Sequence, residues 1–109
     1  MRRGDIVMVP AGEGFAGTPR PAVVIQADGF EMLSTLVLCV FTTNLTESPD
    51  LRVTVEPSAA NALPERSALM ADKLISVPRR KIGRHIGRLD ARDLVRLDRA
   101  LLVFLGLAG

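Results

Sequence analysis

The sequence predicts a mainly β fold of the α+β kind, a small, strongly curved antiparallel barrel with one C-terminal amphipathic helix. Three observations predict it. Five or six strand-length apolar runs are divided by Gly- and Pro-rich breaks. No long helical pattern is interleaved with them, which excludes a doubly wound parallel sheet. A single stretch of helical periodicity then closes the chain. At 109 residues the chain is expected to be one domain, 1–109, with room for one core.

Gly4-Asp5-Ile6-Val7-Met8-Val9 reads as the first strand, ended by Pro10. Residues 11–19 hold three glycines and a proline and are expected to form a mobile loop. Two central strands follow. Arg20 opens the run Pro21-Ala22-Val23-Val24-Ile25, and Thr42-Thr43-Asn44 closes the run Leu36-Val37-Leu38-Cys39-Val40-Phe41. Both are rich in β-branched or bulky apolar side chains. Residues 28–34 connect them, opening on Asp28-Gly29, with a helical turn expected over 30–33. Residues 45–50 read as a polar loop. Leu51-Arg52-Val53-Thr54-Val55 alternates cleanly and predicts a strand with one solvated face, ended by Pro57. Residues 58–65 are a loop, and 67–77 a further strand with Asp72 and Lys73 as its polar interruption. A short last strand is expected around His85-Ile86. Asp90 can cap a helix with Asp93 in its first turn. Leu94, Leu97, Leu101, Phe104 and Leu105 mark one face of it, and Gly106 is placed to stop it.

Composition narrows the function. Four Phe with no Trp or Tyr make the core aliphatic, and base stacking cannot be a main source of nucleic-acid affinity. The net charge is only +2, yet Arg79, Arg80, Lys81, Arg84 and Arg88 crowd one short stretch. Such a cluster is by default a solvated face; it could also meet RNA phosphate or an acidic partner. The one cysteine, Cys39, lies in an apolar run, which excludes an internal disulfide and suits a reducing compartment. No apolar stretch follows the N-terminal Arg2-Arg3 as in a signal peptide, and residues 100–105 are too short to span a membrane. The expectation is a soluble, cytoplasmic protein. One His and no Cys cluster leave a zinc site, a Ser-His-Asp triad and a His-His nuclease poorly supported. No cofactor or metal is expected.

The central runs carry the chemistry. If they pair antiparallel with Ala27 facing Thr35, Arg20 falls opposite Thr42, with Cβ atoms about 4.5–5.5 Å apart. A guanidinium and a hydroxyl then share the mouth of an apolar hairpin. That juxtaposition is either a binding site or a coincidence of register.

Arg3-Gly4-Asp5-Ile6-Val7, the glycine-rich loop, Arg20-Pro21-Ala22-Val23-Val24-Ile25-Gln26, and Thr35 followed by apolar residues to Thr42 together resemble the PemK/MazF family of toxin ribonucleases. Ser67, Asp72-Lys73 and the closing segment Leu89-Asp90, Ala100-Leu101 and Phe104-Leu105-Gly106-Leu107 fit the same family. The resemblance implies an SH3-like barrel shared by CcdB and MazF toxins, usually a homodimer. It implies metal-independent cleavage of single-stranded RNA at a short sequence, and neutralisation by a cognate MazE-like antitoxin. Arg20 and Thr42 then match the functional pair. Candidates for holding substrate are Phe15, Thr18, Thr43, Asn44, Asp72, Lys73, Arg79 and Arg80. Phe15 could stack on a base or pack down, and Asp72 is a candidate general base. Two positions depart from relatives: residues 13–19 lack a Glu-Gln pair, and Met70 stands where some members have Arg.

RNA carries its own nucleophile, so the implied site need only hold the backbone in line and stabilise added charge on phosphoryl oxygens. Arg supplies a planar, permanently charged fork, and Thr a hydrogen bond from a stiff side chain. Two other readings remain. A CcdB-like gyrase poison would resemble its relatives in a Trp-Gly-Ile C-terminus, where this chain has Leu105-Gly106-Leu107-Ala108-Gly109. A non-catalytic, antitoxin-binding barrel would bind the antitoxin and leave RNA intact.

Overall fold

Each expected apolar run is a strand in the computed structural model, whose described residues are 1–11, 17–30, 32–46 and 51–108. The strands are β1 (Asp5–Ala11), β2 (Gly17–Val24), β3 (Thr35–Thr42), β4 (Arg52–Val55), β5 (Ser67–Pro78) and β6 (His85–Arg88). A helix, α1 (Ala91–Phe104), follows, and short 3-10 turns lie at Asp28–Phe30 and Arg79–Lys81. The strands form one antiparallel sheet in the order β4-β5-β3-β2-β1-β6.

The sheet is a half-barrel rather than a closed one, and a loop bridges its two edges. Arg88 of β6 donates its amide to the Ala60 carbonyl at 2.8 Å. Gly87 permits this approach, because a Cβ there would lie 2.5 Å from the Ala60 oxygen.

Both faces of the central strands are covered. Ile6, Val23, Cys39, Phe41 and Leu69 pack beneath α1 with Leu97 and Leu101. The alternate residues Val7, Val9, Ala22, Val24, Leu36 and Leu38 form a second, smaller cluster with Val77. Burial on both sides explains why these strands read as unbroken apolar runs, while the edge strand β4 alternates.

The helix obeys its sequence signals. The Asp90 side chain accepts from the Asp93 amide at 2.8 Å. At the other end Gly106 takes φ +73°, with Gly106 N–H bonded to the Val103 carbonyl and Leu107 N–H to that of Leu102, a Schellman stop. Arg3 clamps helix to hairpin, donating to Asp98 at 2.6 Å and to the Ile25 carbonyl at 2.7 Å. Of the expected helical stripe, Leu97 and Leu101 are buried, whereas Phe104 and Leu105 overhang the sheet and are exposed.

Two boundaries differ from expectation. β1 runs on through Pro10 to Ala11, and β2 already begins at Gly17, so Thr18 and Pro19 are strand residues rather than loop. A register shift between Val9 and Ala11 accommodates Pro10, which has no N–H to give the ladder. The helical turn after Ala27 covers Asp28–Phe30, earlier than expected.

Candidate functional site

The predicted hairpin register is observed. β2 and β3 pair Ala22 with Val40, Val23 with Cys39 and Val24 with Leu38. Ile25 N–H donates to the Val37 carbonyl at 3.2 Å, so every second N–H of β2 points at β3. The next such donor beyond Val23 would be residue 21. It is a proline, and the ladder stops there.

Where that rung is missing there is a cleft of about 230 Å³ lined by Arg20, Pro21, Phe41, Thr42, Thr43, Pro64 and Ser67. Arg20 is exposed at its rim, anchored through its backbone position opposite the buried Val9 of β1. Thr42, half-buried, ends β3 opposite Ala68. The Arg20-Pro21 dipeptide thus brings a cation to the site and, through the missing N–H, opens the gap beside it.

The Thr42 hydroxyl is oriented. Its oxygen accepts the Asn44 amide at 3.1 Å. Asn44 is itself fixed, its Oδ1 accepting from the Thr46 amide at 3.1 Å and the Thr46 hydroxyl at 2.7 Å. With one lone pair engaged, the Thr42 proton is free to point elsewhere. Asn44 therefore acts on Thr42 rather than from the cleft wall, while Thr43 lines the cleft directly.

The other expected site residues lie elsewhere. Thr18 is exposed on β2, outside the cleft lining, and Phe15 falls outside the described residues. Asp72 and Lys73 belong to an irregularity of β5. On β3 only Val40 separates Cys39 from Phe41, whereas four residues, 70–73, separate their partners Leu74 and Leu69 on β5, so that β5 carries three extra residues there as a bulge. Met70 stays paired with Arg52 of β4, and the Asp72 carboxylate accepts from the Arg52 guanidinium. The Arg52 side chain is only 5% exposed, so Asp72 serves to neutralise a buried cation. Asp72 is not among the residues lining the cleft. Lys73 is exposed on the bulge. Beneath it the Cys39 thiol donates to the Met70 carbonyl at 3.3 Å, and burial pushes its pKa up to about 12.

Arg79 and Arg80 sit at the opposite end of β3 from Thr42. They follow Pro78, which pairs with Thr35, and the eight-residue strand puts roughly 23 Å between the two ends. Arg79 is bound there by its own Nε–H to the Leu33 carbonyl, 3.2 Å. The two arginines line a separate hollow with Ser34, Thr35 and Pro78.

Four cleft residues were not among the expected site residues: Pro21, Phe41, Pro64 and Ser67. Ser67 is buried, and its hydroxyl donates to the Glu65 carbonyl at 2.9 Å. Pro64 also walls a second hollow, lined by Met8, Ala62, Arg84, His85 and Ile86. His85 Nε2 lies 3.5 Å from Asp5. Burial acts to raise the Asp5 pKa, but hydrogen bonds from the Arg2 amide and the Arg88 guanidinium, with the neighbouring His85 and Arg88 charges, outweigh it and hold the carboxyl below its ordinary value. Among the described residues, no group of three or more His, Cys, Asp and Glu side chains is placed to hold a metal ion. No described helix is long and apolar enough to cross a membrane.

Comparison with known proteins agrees with this architecture. Residues 2–105 match the model of the PemK-like, MazF-like toxins of type II toxin–antitoxin systems. The chain is 47% identical over 109 residues, the whole of both chains, to a probable endoribonuclease MazF of Mycolicibacterium smegmatis. It is 29% identical to endoribonuclease MazF9 of Mycobacterium tuberculosis, over 98% of each chain. Among solved structures, the M. tuberculosis toxin MazF-mt6 superposes with a TM-score of 0.79 at 19% identity, covering 94% of this chain and 96% of that one. A mycobacterial endoribonuclease in complex with its cognate antitoxin gives 0.77 at 20% identity, covering 97% of this chain and 93% of that one. The chain belongs to the PemK/MazF family, the MazF-like endoribonuclease toxins of type II toxin–antitoxin systems.

Proposed function

We propose that this toxin cuts single-stranded RNA in the Arg20–Thr42 cleft, without a metal, by attack of the substrate's own 2′-hydroxyl. The observation that carries the reading is the missing rung at Pro21, which leaves Arg20 and Thr42 on the walls of one cleft. The 2′-oxygen forms a bond to phosphorus, the bond from phosphorus to the 5′-oxygen breaks, and the ends are a 2′,3′-cyclic phosphate and a 5′-hydroxyl. The 2′-hydroxyl loses a proton and the departing 5′-oxygen gains one. No carboxylate or imidazole is among the described residues lining the cleft, so the protein's share is positioning and charge stabilisation. The Arg20 fork donates to the non-bridging oxygens as their charge grows. The Thr42 hydroxyl, its oxygen already receiving the Asn44 amide, donates a further hydrogen bond to the same phosphate.

The same reading makes the protein a cytoplasmic homodimer neutralised by a cognate antitoxin. Leu102, Val103, Phe104, Leu105 and Leu107 expose apolar surface at the end of α1, which supports a partner covering it. The structural relatives seen with an antitoxin support the second half.

The test is incubation of the purified chain with a long RNA in EDTA, followed by mapping of the cut ends. Cuts at a recurring short sequence, with cyclic phosphate on the 3′ ends, are expected. Intact RNA would overturn the reading in favour of an antitoxin-binding barrel.

A further inference from the structure

We propose that the hollow across Pro64 from the cleft holds a second backbone phosphate of the same RNA strand, with Arg84 as its positioning cation. The inference rests on the reading of the Arg20–Thr42 cleft as the place of cutting.

Continuity is the first observation. Pro64 is a wall of both hollows, so a strand leaving the cleft over Pro64 enters the second hollow directly. The sheet sets the span. Arg20 pairs with Val9, and the next residue of β1, Met8, donates its amide to the Arg84 carbonyl at 2.9 Å. Arg20 and Arg84 therefore flank β1, two strand spacings or roughly 10 Å apart at the backbone.

Charge is the second. The hollow of about 530 Å³ carries Arg84 and His85 on its wall and, among the described residues, no acid. Asp5 approaches His85 from beneath, but it is already engaged by Arg88 at 2.8 Å and by the Arg2 amide at 2.8 Å. Most neighbouring arginines are committed: Arg3 to Asp98, Arg88 to Asp5, Arg79 to the Leu33 carbonyl. Arg84 is exposed and, among the described residues, has no ion-pair partner. It is the arginine of the basic stretch that the fold brings beside the cleft.

Rigidity is the third. The ridge between the hollows is locked by buried Asn61, whose Oδ1 accepts from the Ser58 and Leu63 amides and whose Nδ2 donates to the Glu56 carbonyl. The lock holds Ala62 at φ +55°, a left-handed conformation that non-glycine residues seldom adopt. A strained ridge of fixed height between two cationic hollows suits an extended strand draped over it. Phosphate contacts of this kind set position and carry no sequence information.

The experiment measures fluorescence anisotropy over a salt series. Its probe is an oligoribonucleotide bearing the mapped cut sequence, with a 2′-deoxy sugar before the cut to prevent cleavage. Arg84→Ala is expected to reduce the slope of log affinity against log salt by about 0.7, one phosphate of a single strand. Arg84→Lys should restore most of it, Arg99→Ala on the helix should leave it alone, and the position of cutting in natural RNA should not move. On a probe trimmed to the cut dinucleotide, parent and Arg84→Ala should bind alike. An unchanged slope on the long probe overturns the proposal, as does a loss that persists on the dinucleotide. A loss confined to binding of an oligoglutamate peptide assigns the hollow to a protein ligand and overturns it equally. If the parent chain neither binds nor cuts RNA, the reading of the cleft has failed, and the second phosphate site fails with it.

Discussion

The Asn44 amide donates to the Thr42 hydroxyl oxygen at 3.1 Å, which fixes where the Thr42 proton can point. Thr42→Val keeps the shape and removes the donor. Initial rates on a labelled RNA should fall roughly 10²–10³-fold, the loss typical of one preorganised donor to a developing oxyanion. Thr42→Ser, which keeps the hydroxyl and the Asn44 bond, should retain most of the rate.

Asp72 faces a cation that is almost entirely withdrawn from water. Asp72→Ala removes a carboxylate that holds this buried charge and should destabilise the fold by about 1–3 kcal/mol, read from urea unfolding. Replacing both partners, Arg52→Met with Asp72→Leu, should recover most of that loss, because the desolvation of two charges is removed together. The Asp72→Ala molecules that remain folded should still cut RNA, since the carboxylate lies outside the cleft lining.

Gly87 is the point where β6 meets the loop that bridges the sheet edges. A methyl group there would collide with backbone atoms, the Ala60 oxygen at 2.5 Å and the Asn61 carbonyl carbon at 2.7 Å. Neither can swing aside as a flexible side chain would. Gly87→Ala should cost about 1–3 kcal/mol, visible as a lowered melting temperature.

Asp5 titrates below its ordinary value in the folded state, because the hydrogen bonds from Arg2 and Arg88 outweigh burial. A depressed folded pKa means that the unfolded chain binds the proton first as pH falls. The stabilisation is complete above the ordinary pKa of 3.8 and disappears as pH drops through the folded one. The parent should be more stable than Asp5→Asn at neutral pH, and the difference should shrink on acidification below about pH 4. A difference that grows in acid would contradict the assignment.

The cleft was legible because its determinants are local. Two apolar runs of matched length and a short connection fix one register, and that register alone sets Arg20 against Thr42. The helix was legible for the same reason, its cap and its stopping glycine lying in the sequence beside it. The bulge at residues 70–73 was not. Met70 and Ala71 read as ordinary strand, and nothing in an apolar pattern counts how many residues the partner strand offers opposite them. The pairing of Asp72 with Arg52 of β4 was therefore not visible in the sequence. The basic stretch misled by proximity in sequence. The 3-10 turn Arg79–Lys81 divides it, leaving Arg79 and Arg80 at the far end of β3 and sending Arg84 back beside β1. Pro64 carries no chemistry of its own, so only the folded chain shows it as the wall between two hollows.

The central claim is that the Arg20 guanidinium stabilises the charge gained by the phosphate as RNA is cut. Comparing Arg20→Ala with the parent on the same RNA in EDTA, at matched folded fraction, measures it most directly. A rate reduced roughly 10²–10³-fold with an unchanged melting temperature is the predicted result; cutting at the parental rate would contradict it.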